Sequence, residues 1–209
     1  MAERDGAPAL SLHPRRPWGL AWTAATPAVM RRASCALAHR GQVWLIDPVD
    51  GPGLADALAP LGEVAGVVRL LDRHPRDCAA LAERHGVPLH ENPVGGVPGA
   101  PFQSIPLVQG RLWREVALWW GEHRLMVVPE SVGTAPYFLS PGLPLGIHPF
   151  MRLSPPRALL AHRPQTLVVG HGEPVEDGSV ADDLHRAVTR ARRDIPGWLA
   201  SLPRRRRAS

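Results

Sequence analysis

Apolar positions fall along the chain in short runs of strand length, interrupted by two stretches with helical spacing. Leu20–Thr23 and Ser34–Ala38 are apolar segments suited to strands, and Gln42–Ile46 (QVWLI) adds β-branched and aromatic residues. Pro48 follows Asp47 and turns that residue away from helix. Leu54–Leu58 predicts a short helix. Val64–Leu71 (VAGVVRLL) is almost unbroken apolar sequence, the mark of a strand covered on both faces. Residues 72–77 (DRHPRD) come next, and Pro75 suits a first helical turn. Cys78, Leu81, Ala82 and His85 keep helical spacing, and Gly86 ends the helix. Strand, loop and helix in that order place residues 72–77 at the carboxyl end of the strand, where open α/β sheets usually bind ligands.

Further along, Val116–Trp120 and Leu125–Val128 predict two strands joined through Gly121-Glu122-His123 as a hairpin. Residues 129–157 are rich in Pro and Gly and read as a long loop which, with residues 91–104, shapes a pocket. Thr166–Val169 is another buried strand and runs straight into Gly170-His171-Gly172. Ser179 and Asp182 resemble a capping box. Val180, Leu184, Ala187, Val188, Ala191 and Ile195 then share one helical face, and Pro196 closes the helix. The pattern predicts an α/β fold: an irregular arm over residues 1–17, one domain over 18–200 and a basic tail over 201–209, disordered over 203–209.

Composition narrows the function classes. The 209 residues are 44% hydrophobic and 21% charged, ordinary for a globular domain. The 24 Pro and 20 Gly stay below the roughly 25–30% of Pro and Gly that marks low-complexity chains, so they punctuate loops. The net charge is +5, and all 24 basic residues are arginine. Arg186, Arg190, Arg192 and Arg193 precede the run Arg204–Arg207, which reads as a solvated tail. A nucleic-acid partner is the weakest reading, because no helix–turn–helix, zinc-finger or RNA-binding signature accompanies the tail. The two cysteines, Cys35 and Cys78, form no Cys-x-x-Cys and imply no disulfide framework. Met1–Trp22 has no apolar signal core, and no run approaches the roughly 18 apolar residues of a membrane span. The expected location is cytoplasmic, with no membrane partner.

Four segments stand in a telling order: QVWLIDP at 42–48, LLDRHPRDCAALAERHGVPLH at 70–90, QGRLWREVALWW at 109–120 leading to LMVVPES at 125–131, and LVVGHGEPV at 167–175. Together they resemble the metallo-β-lactamase-fold hydrolases, over roughly residues 30–185. The resemblance implies a four-layer αβ/βα sandwich with a metal cleft at one edge of two sheets. It implies zinc, or sometimes iron or manganese, held by a His-x-His-x-Asp-His loop, a Gly-His, an Asp after a strand and a terminal Gly-His-Gly. Imidazoles and carboxylates suit such cations, which lower the pKa of bound water toward neutrality.

Carried over position by position, the resemblance puts Asp72 in the place of the loop's first His and His74 in the second. Arg76 stands where the loop has its Asp, and Asp77, or with a one-residue slip Cys78, where it has its last His. The Gly-His pair becomes Gly110-Arg111, the strand-end Asp becomes Glu130, and the terminal His is His171. Asp47 takes the place of a structural acidic residue. Asp72, His74, Asp77, Glu130 and His171 are thus the candidate metal ligands, a set that suits iron or manganese as well as zinc. Arg76 and Arg111 cannot ligate a cation and would repel one.

Taken singly, each piece has a structural explanation. Glycine-rich turns after strands are common, and Asp72 and Asp77 flank a helix start, where negative charge is favourable. His85, His90, His123, His148, His162 and His185 show no ligand spacing. No Gly-x-Ser-x-Gly frames a serine nucleophile. The expectation is a protein of hydrolase descent with a degraded metal site and no tightly bound cofactor, taking an anionic small molecule. In this reading Arg76 and Arg111 bridge the carboxylates of Asp72, Asp77 and Glu130 in place of a cation. The alternative is an active single-metal hydrolase (Zn, Fe or Mn) of an ester, thioester or phosphoester.

Overall fold

The computed structural model describes residues 8–24 and 30–205, with side chains through residue 201. The strands are β1 (Leu10–Leu12), β2 (Gly19–Ala24), β3 (Ala33–His39), β4 (Gln42–Ile46), β5 (Glu63–Arg69) and β6 (Leu89–Glu91), then β7 (Gln103–Gln109), β8 (Arg114–Trp120) and β9 (Leu125–Val128). Two-residue strands β10 (Val132–Gly133) and β11 (Gly146–Ile147) precede β12 (Thr166–Val169) and β13 (Val175–Glu176). The helices are α1 (Leu54–Leu58), α2 (Cys78–His85), α3 (Val180–Arg190) and α4 (Ile195–Arg205). One sheet runs β1-β2-β3-β4-β5-β6, the other β13-β12-β9-β8-β7, and β10 pairs only with β11. Most neighbours are antiparallel. The pairs β4–β5, β5–β6 and β9–β12 are parallel, which requires crossover connections such as α1 and α2.

Side-chain alternation along each central strand builds the layers. In β4, Trp44 and Ile46 point into the core between the sheets, while Val43 and Leu45 meet Leu54, Leu58, Leu81 and Ala82 of α1 and α2. In β9, Leu125 and Val127 enter the same central core, while Met126 and Val128 meet Leu184 and Val188 of α3. A strand with two buried faces must be apolar at nearly every position, which is why VAGVVRLL and LMVV read as unbroken runs. Helix, sheet, sheet and helix are therefore four successive layers, as the sequence led us to expect. The face of α3 that carries Val180, Leu184, Ala187 and Val188 is the one buried.

Several segments differ from the sequence expectation. Residues 10–12 of the presumed irregular arm form edge strand β1, with Leu10 opposite Ala24 and Leu12 opposite Trp22; residues 1–7 lie outside the described residues. Pro196 does not end the last helix. It occupies the second residue of α4, where the missing N–H costs no helical bond, and α4 runs on to Arg205 through the start of the supposed tail. Residues 206–209 lie outside the described residues. Strand β7 carries Pro106, tolerable because β7 is at the sheet edge. Among the described residues no helix is long and apolar enough to cross a membrane.

Candidate metal centre

The two sheets meet at the carboxyl ends of β4, β5, β9 and β12, and the site lies there. Ala33 N–H donates to Gly170 O at 2.9 Å and Gly172 N–H to Arg31 O at 2.9 Å, joining the start of β3 to the turn after β12. The glycines flanking His171 are required by space. A Cβ on Gly170 would lie 1.9 Å from Pro129 O, and one on Gly172 would lie 2.2 Å from Thr134 Oγ1. Gly172 also has φ +105°, which favours glycine. The backbone O of His171 accepts from Thr134 N and Ala135 N, so the histidine is fixed from behind.

Glu130 follows β9 and is anchored by a second buried acid. Glu115 Oε1 accepts from Glu130 N at 3.1 Å and Ser131 N at 2.7 Å, while Oε2 accepts from Ser131 Oγ at 2.6 Å and Trp113 Nε1 at 2.9 Å. Burial pushes the Glu115 carboxyl up, against the pull of these donors. All four partners donate, so the arrangement serves a carboxylate, which only accepts.

Three ligand-type atoms converge. Glu130 Oε2 is 3.0 Å from His74 Nε2 and 2.9 Å from His171 Nε2, and the two Nε2 atoms are 3.2 Å apart. All three residues are buried. The far side of each ring is already engaged: His74 Nδ1 lies 3.2 Å from Asp47 Oδ2, and His171 Nδ1 lies 2.6 Å from Met30 O. A carbonyl accepts only, so Nδ1 of His171 bears its proton, and a neutral ring then presents a bare Nε2. Asp47 imposes the same on His74. Three lone pairs then face one point with no proton between them. Only added protons or a cation can hold them there. Zn–N and Zn–O bonds of about 2.0–2.1 Å place tetrahedral ligand atoms roughly 3.3 Å apart, close to the observed spacing. A histidine whose second nitrogen meets a carboxylate or carbonyl is also the usual setting of a metal ligand. The donor set fits a metal ion.

His148 completes the surround. Its Nε2 is 3.2 Å from Glu130 Oε1, and burial pulls the ring down to about 4. Burial opposes the charge on Glu130; where His171 and His74 carry protons toward it, their contacts outweigh burial and hold the carboxyl well below its usual range. An open cleft of about 980 Å³ leads to the centre, lined among others by Arg32, Arg73, His74, Tyr137, Phe150 and His171. The Arg73 guanidinium lies 3.9 Å over the Trp113 ring.

Of the five candidate ligands, the structure brings together His74, Glu130 and His171 but not Asp72 and Asp77. Asp72 Oδ2 accepts from Arg114 N at 3.1 Å, tying the loop to β8. Asp77 Oδ2 accepts from Asp50 N at 2.9 Å. The arginines also depart from expectation. Arg76 bridges no carboxylate: its guanidinium donates to Ala33 O, to Asp47 O at 2.8 Å and to Gly170 O at 2.9 Å. Arg111 is exposed, because Gly110 N–H bonds Trp113 O at 2.9 Å and closes a turn at the tip of the β7–β8 hairpin. Nothing in the local sequence marks His148 or Glu115 as part of the site. His148 has no ligand spacing, and Glu115 is one acid at the edge of an apolar run.

No protein-family model matches the chain, and no curated protein sequence does. Solved structures do. The DIM-1 metallo-beta-lactamase exposed to ceftazidime superposes with a TM-score of 0.58 at 12% identity, over 90% of this chain and 100% of that one. The TMB-1 structure gives 0.58 at 11% identity, over 88% and 99%. A metallo-beta-lactamase from Erythrobacter litoralis gives 0.60 at 11% identity, over 89% and 92%. Likeness over whole domains at such low identity is likeness of fold, and this chain has the metallo-β-lactamase fold.

Proposed function

We propose that the protein is a single-metal hydrolase whose ion is held by His74, Glu130 and His171, acting on an ester, thioester or phosphoester bond of an anionic small molecule. The supporting observation is the convergence of two Nε2 atoms and one carboxylate oxygen within 3.2 Å, with both Nδ1 atoms engaged outward. Two histidines, one glutamate and an open fourth position form a ligand set that catalytic zinc uses. A metal in this place supplies an acidified water and an electrophile. The chain's own residues do the rest. Asp47 and the Met30 carbonyl set the ring planes. Arg32 and Arg73 supply positive charge on the cleft wall to orient an anion. The side chain of Phe150 and the ring of Tyr137 offer apolar surface beside the centre.

Of Arg76 and Arg111, only Arg76 stays near the centre: it lines the cleft, and its charge interacts with Glu130. Arg76 is occupied by carbonyl oxygens and Arg111 stands in solvent. The test is elemental analysis of protein purified without a histidine tag, followed by assays with 4-nitrophenyl acetate, an acyl thioester and bis(4-nitrophenyl) phosphate. The expected result is about one transition metal per chain and turnover that a chelator abolishes and Zn²⁺ restores. Bound metal without turnover of any probe favours an anion-binding domain. Absence of metal uptake defeats the reading.

A further inference from the structure

We infer that His148 is a positioning residue of the metal centre: its Nε2–H faces Glu130 Oε1 and biases that carboxylate, so that Oε2 is the oxygen presented between His74 and His171. The inference rests on the single-metal reading and adds to it a residue from outside the ligand pattern.

The proton on His148 is placed by its neighbours. The backbone N–H of Phe150 donates to His148 Nδ1 at 3.3 Å. A ring nitrogen that accepts carries no proton, so the neutral ring bears its hydrogen on Nε2. That nitrogen lies 3.2 Å from Glu130 Oε1, a close charge–dipole contact without the alignment of a hydrogen bond. The two oxygens of Glu130 are therefore divided, one lying against His148 and the other facing the two ligand histidines. Glu115 cannot substitute for this contact, because it bonds the backbone of Glu130 and Ser131 rather than the Glu130 carboxylate.

His148 is built to stay in place. Its backbone N–H donates to Ser131 O at 3.0 Å, extending the β10–β11 pairing of Val132 with Ile147 and Gly133 with Gly146. That short ladder ties the histidine to the segment directly after its acceptor. Gly146 permits the approach, since a Cβ there would lie 1.9 Å from Phe138 O. Rings of Trp113, Phe138 and Phe150 stand 5.1, 5.6 and 5.3 Å from the imidazole and confine its plane. Such investment is out of proportion for a histidine that merely fills space, because an aliphatic side chain would pack there without needing an N–H acceptor.

The experiment compares the wild type with His148→Phe, which fills the volume without a donor, and His148→Gln, whose amide N–H can replace Nε2–H. Zn²⁺ affinity is measured by competition with a chromophoric chelator, and the Co²⁺ protein is recorded by visible absorption. His148→Phe is expected to weaken Zn²⁺ binding about 10–100-fold, as loss of an outer partner does, and to alter the Co²⁺ bands. His148→Gln is expected to recover most of the affinity and a near-native spectrum. If His148→Phe does not fold, His148→Met serves as the donor-free variant. Native affinity and spectrum in a donor-free variant overturn the inference, as does a Gln variant no better than the donor-free one. A wild type that takes up no Zn²⁺ instead overturns the metal reading itself, a failure visible before any variant is compared.

Discussion

The two sides of the cleft share the same loops and have opposite fates. His74 and Arg76 are two residues apart. His74 turns toward Glu130 and His171, while Arg76, at φ 39°, turns under the loop toward the ends of β3, β4 and β12. Asp72 and Asp77 likewise find backbone N–H partners nearby. On one side, side chains meet one another at a point that could hold a cation. On the other, Asp72, Arg76 and Asp77 each have hydrogen-bond partners of their own, although Asp72 Oδ1 and Arg76 Nε have none. The comparison shows that residue type and spacing do not settle a ligand; the nearest competing hydrogen-bond partner does. Arg76 is no substitute for a metal. It is a staple across the two sheets, since Ala33 and Asp47 adjoin one sheet and Gly170 the other.

The largest expected effect breaks the convergent side. His171→Ala removes one Nε2 and leaves a carboxylate and a single imidazole. Metal content should fall from about one per chain to near zero by elemental analysis, and retention of a full equivalent would show that the ion sits elsewhere. On the other side, Arg76→Ala should destabilise the fold. It removes a donor from the carbonyls of Ala33, Asp47 and Gly170, although Gly170 O keeps Ala33 N–H and Asp47 O keeps the Ser34 hydroxyl; a lost hydrogen bond to a charged group costs about 1.5–3 kcal/mol. A loss of about 1.5–3 kcal/mol is expected in urea unfolding. Arg76→Lys should recover little, because one ammonium cannot span the acceptors that a planar guanidinium reaches. A neutral Arg76→Ala would remove the staple from the account.

Much of the frame was readable from the sequence, for a physical reason. Strands β4, β5, β8, β9 and β12 bury both faces, and α3 buries a single stripe, so burial leaves its period in the residues. His74 and His171 were legible because each sits at the end of such a strand. The rest was hidden where tertiary contact outweighs local pattern. Strands β10 and β11 have two residues each, too few for any period, yet they bring His148 to Glu130. Glu115 is fully buried in β8, but nothing local shows that its partners are the N–H groups of Glu130 and Ser131. Mapping Arg111 to a ligand position was sound by order along the chain; the turn at Gly110–Trp113 then carried it into solvent.

A pH measurement sharpens the comparison on the convergent side, with metal removed by chelator. Burial lowers His148 from 6.5 to about 4 in the folded protein. Between these values the unfolded ring takes up a proton that the buried ring refuses. Its contribution to stability is full above about pH 6.5 and is lost progressively as pH falls toward 4. One pKa unit is worth about 1.4 kcal/mol, so the loss amounts to roughly 3 kcal/mol. The depressed carboxyl of Glu130 acts with the same sign at lower pH. Urea midpoints from pH 7 down to 4.5 should decline, and the decline should be shallower in His148→Phe. Equal slopes in the two proteins would assign the pH dependence to other groups.

The smallest effect tests the other side at its tip. Had Arg111 bridged buried carboxylates, removing it would cost several kcal/mol, because a buried charge would lose its partner. In the structure it is exposed, in a turn closed by the backbone bond between Gly110 and Trp113, and its side chain takes no part in that closure. Exposed substitutions away from special features usually stay within about 0.5 kcal/mol. Arg111→Ala should therefore leave the urea midpoint and the Zn²⁺ affinity unchanged within that margin. Arg111→His should add no second equivalent of metal, because the turn holds the residue in solvent. A marked destabilisation by Arg111→Ala, or a second bound ion in Arg111→His, would mean that the hairpin folds over the cleft in solution and that the two sides are less separate than their geometry indicates.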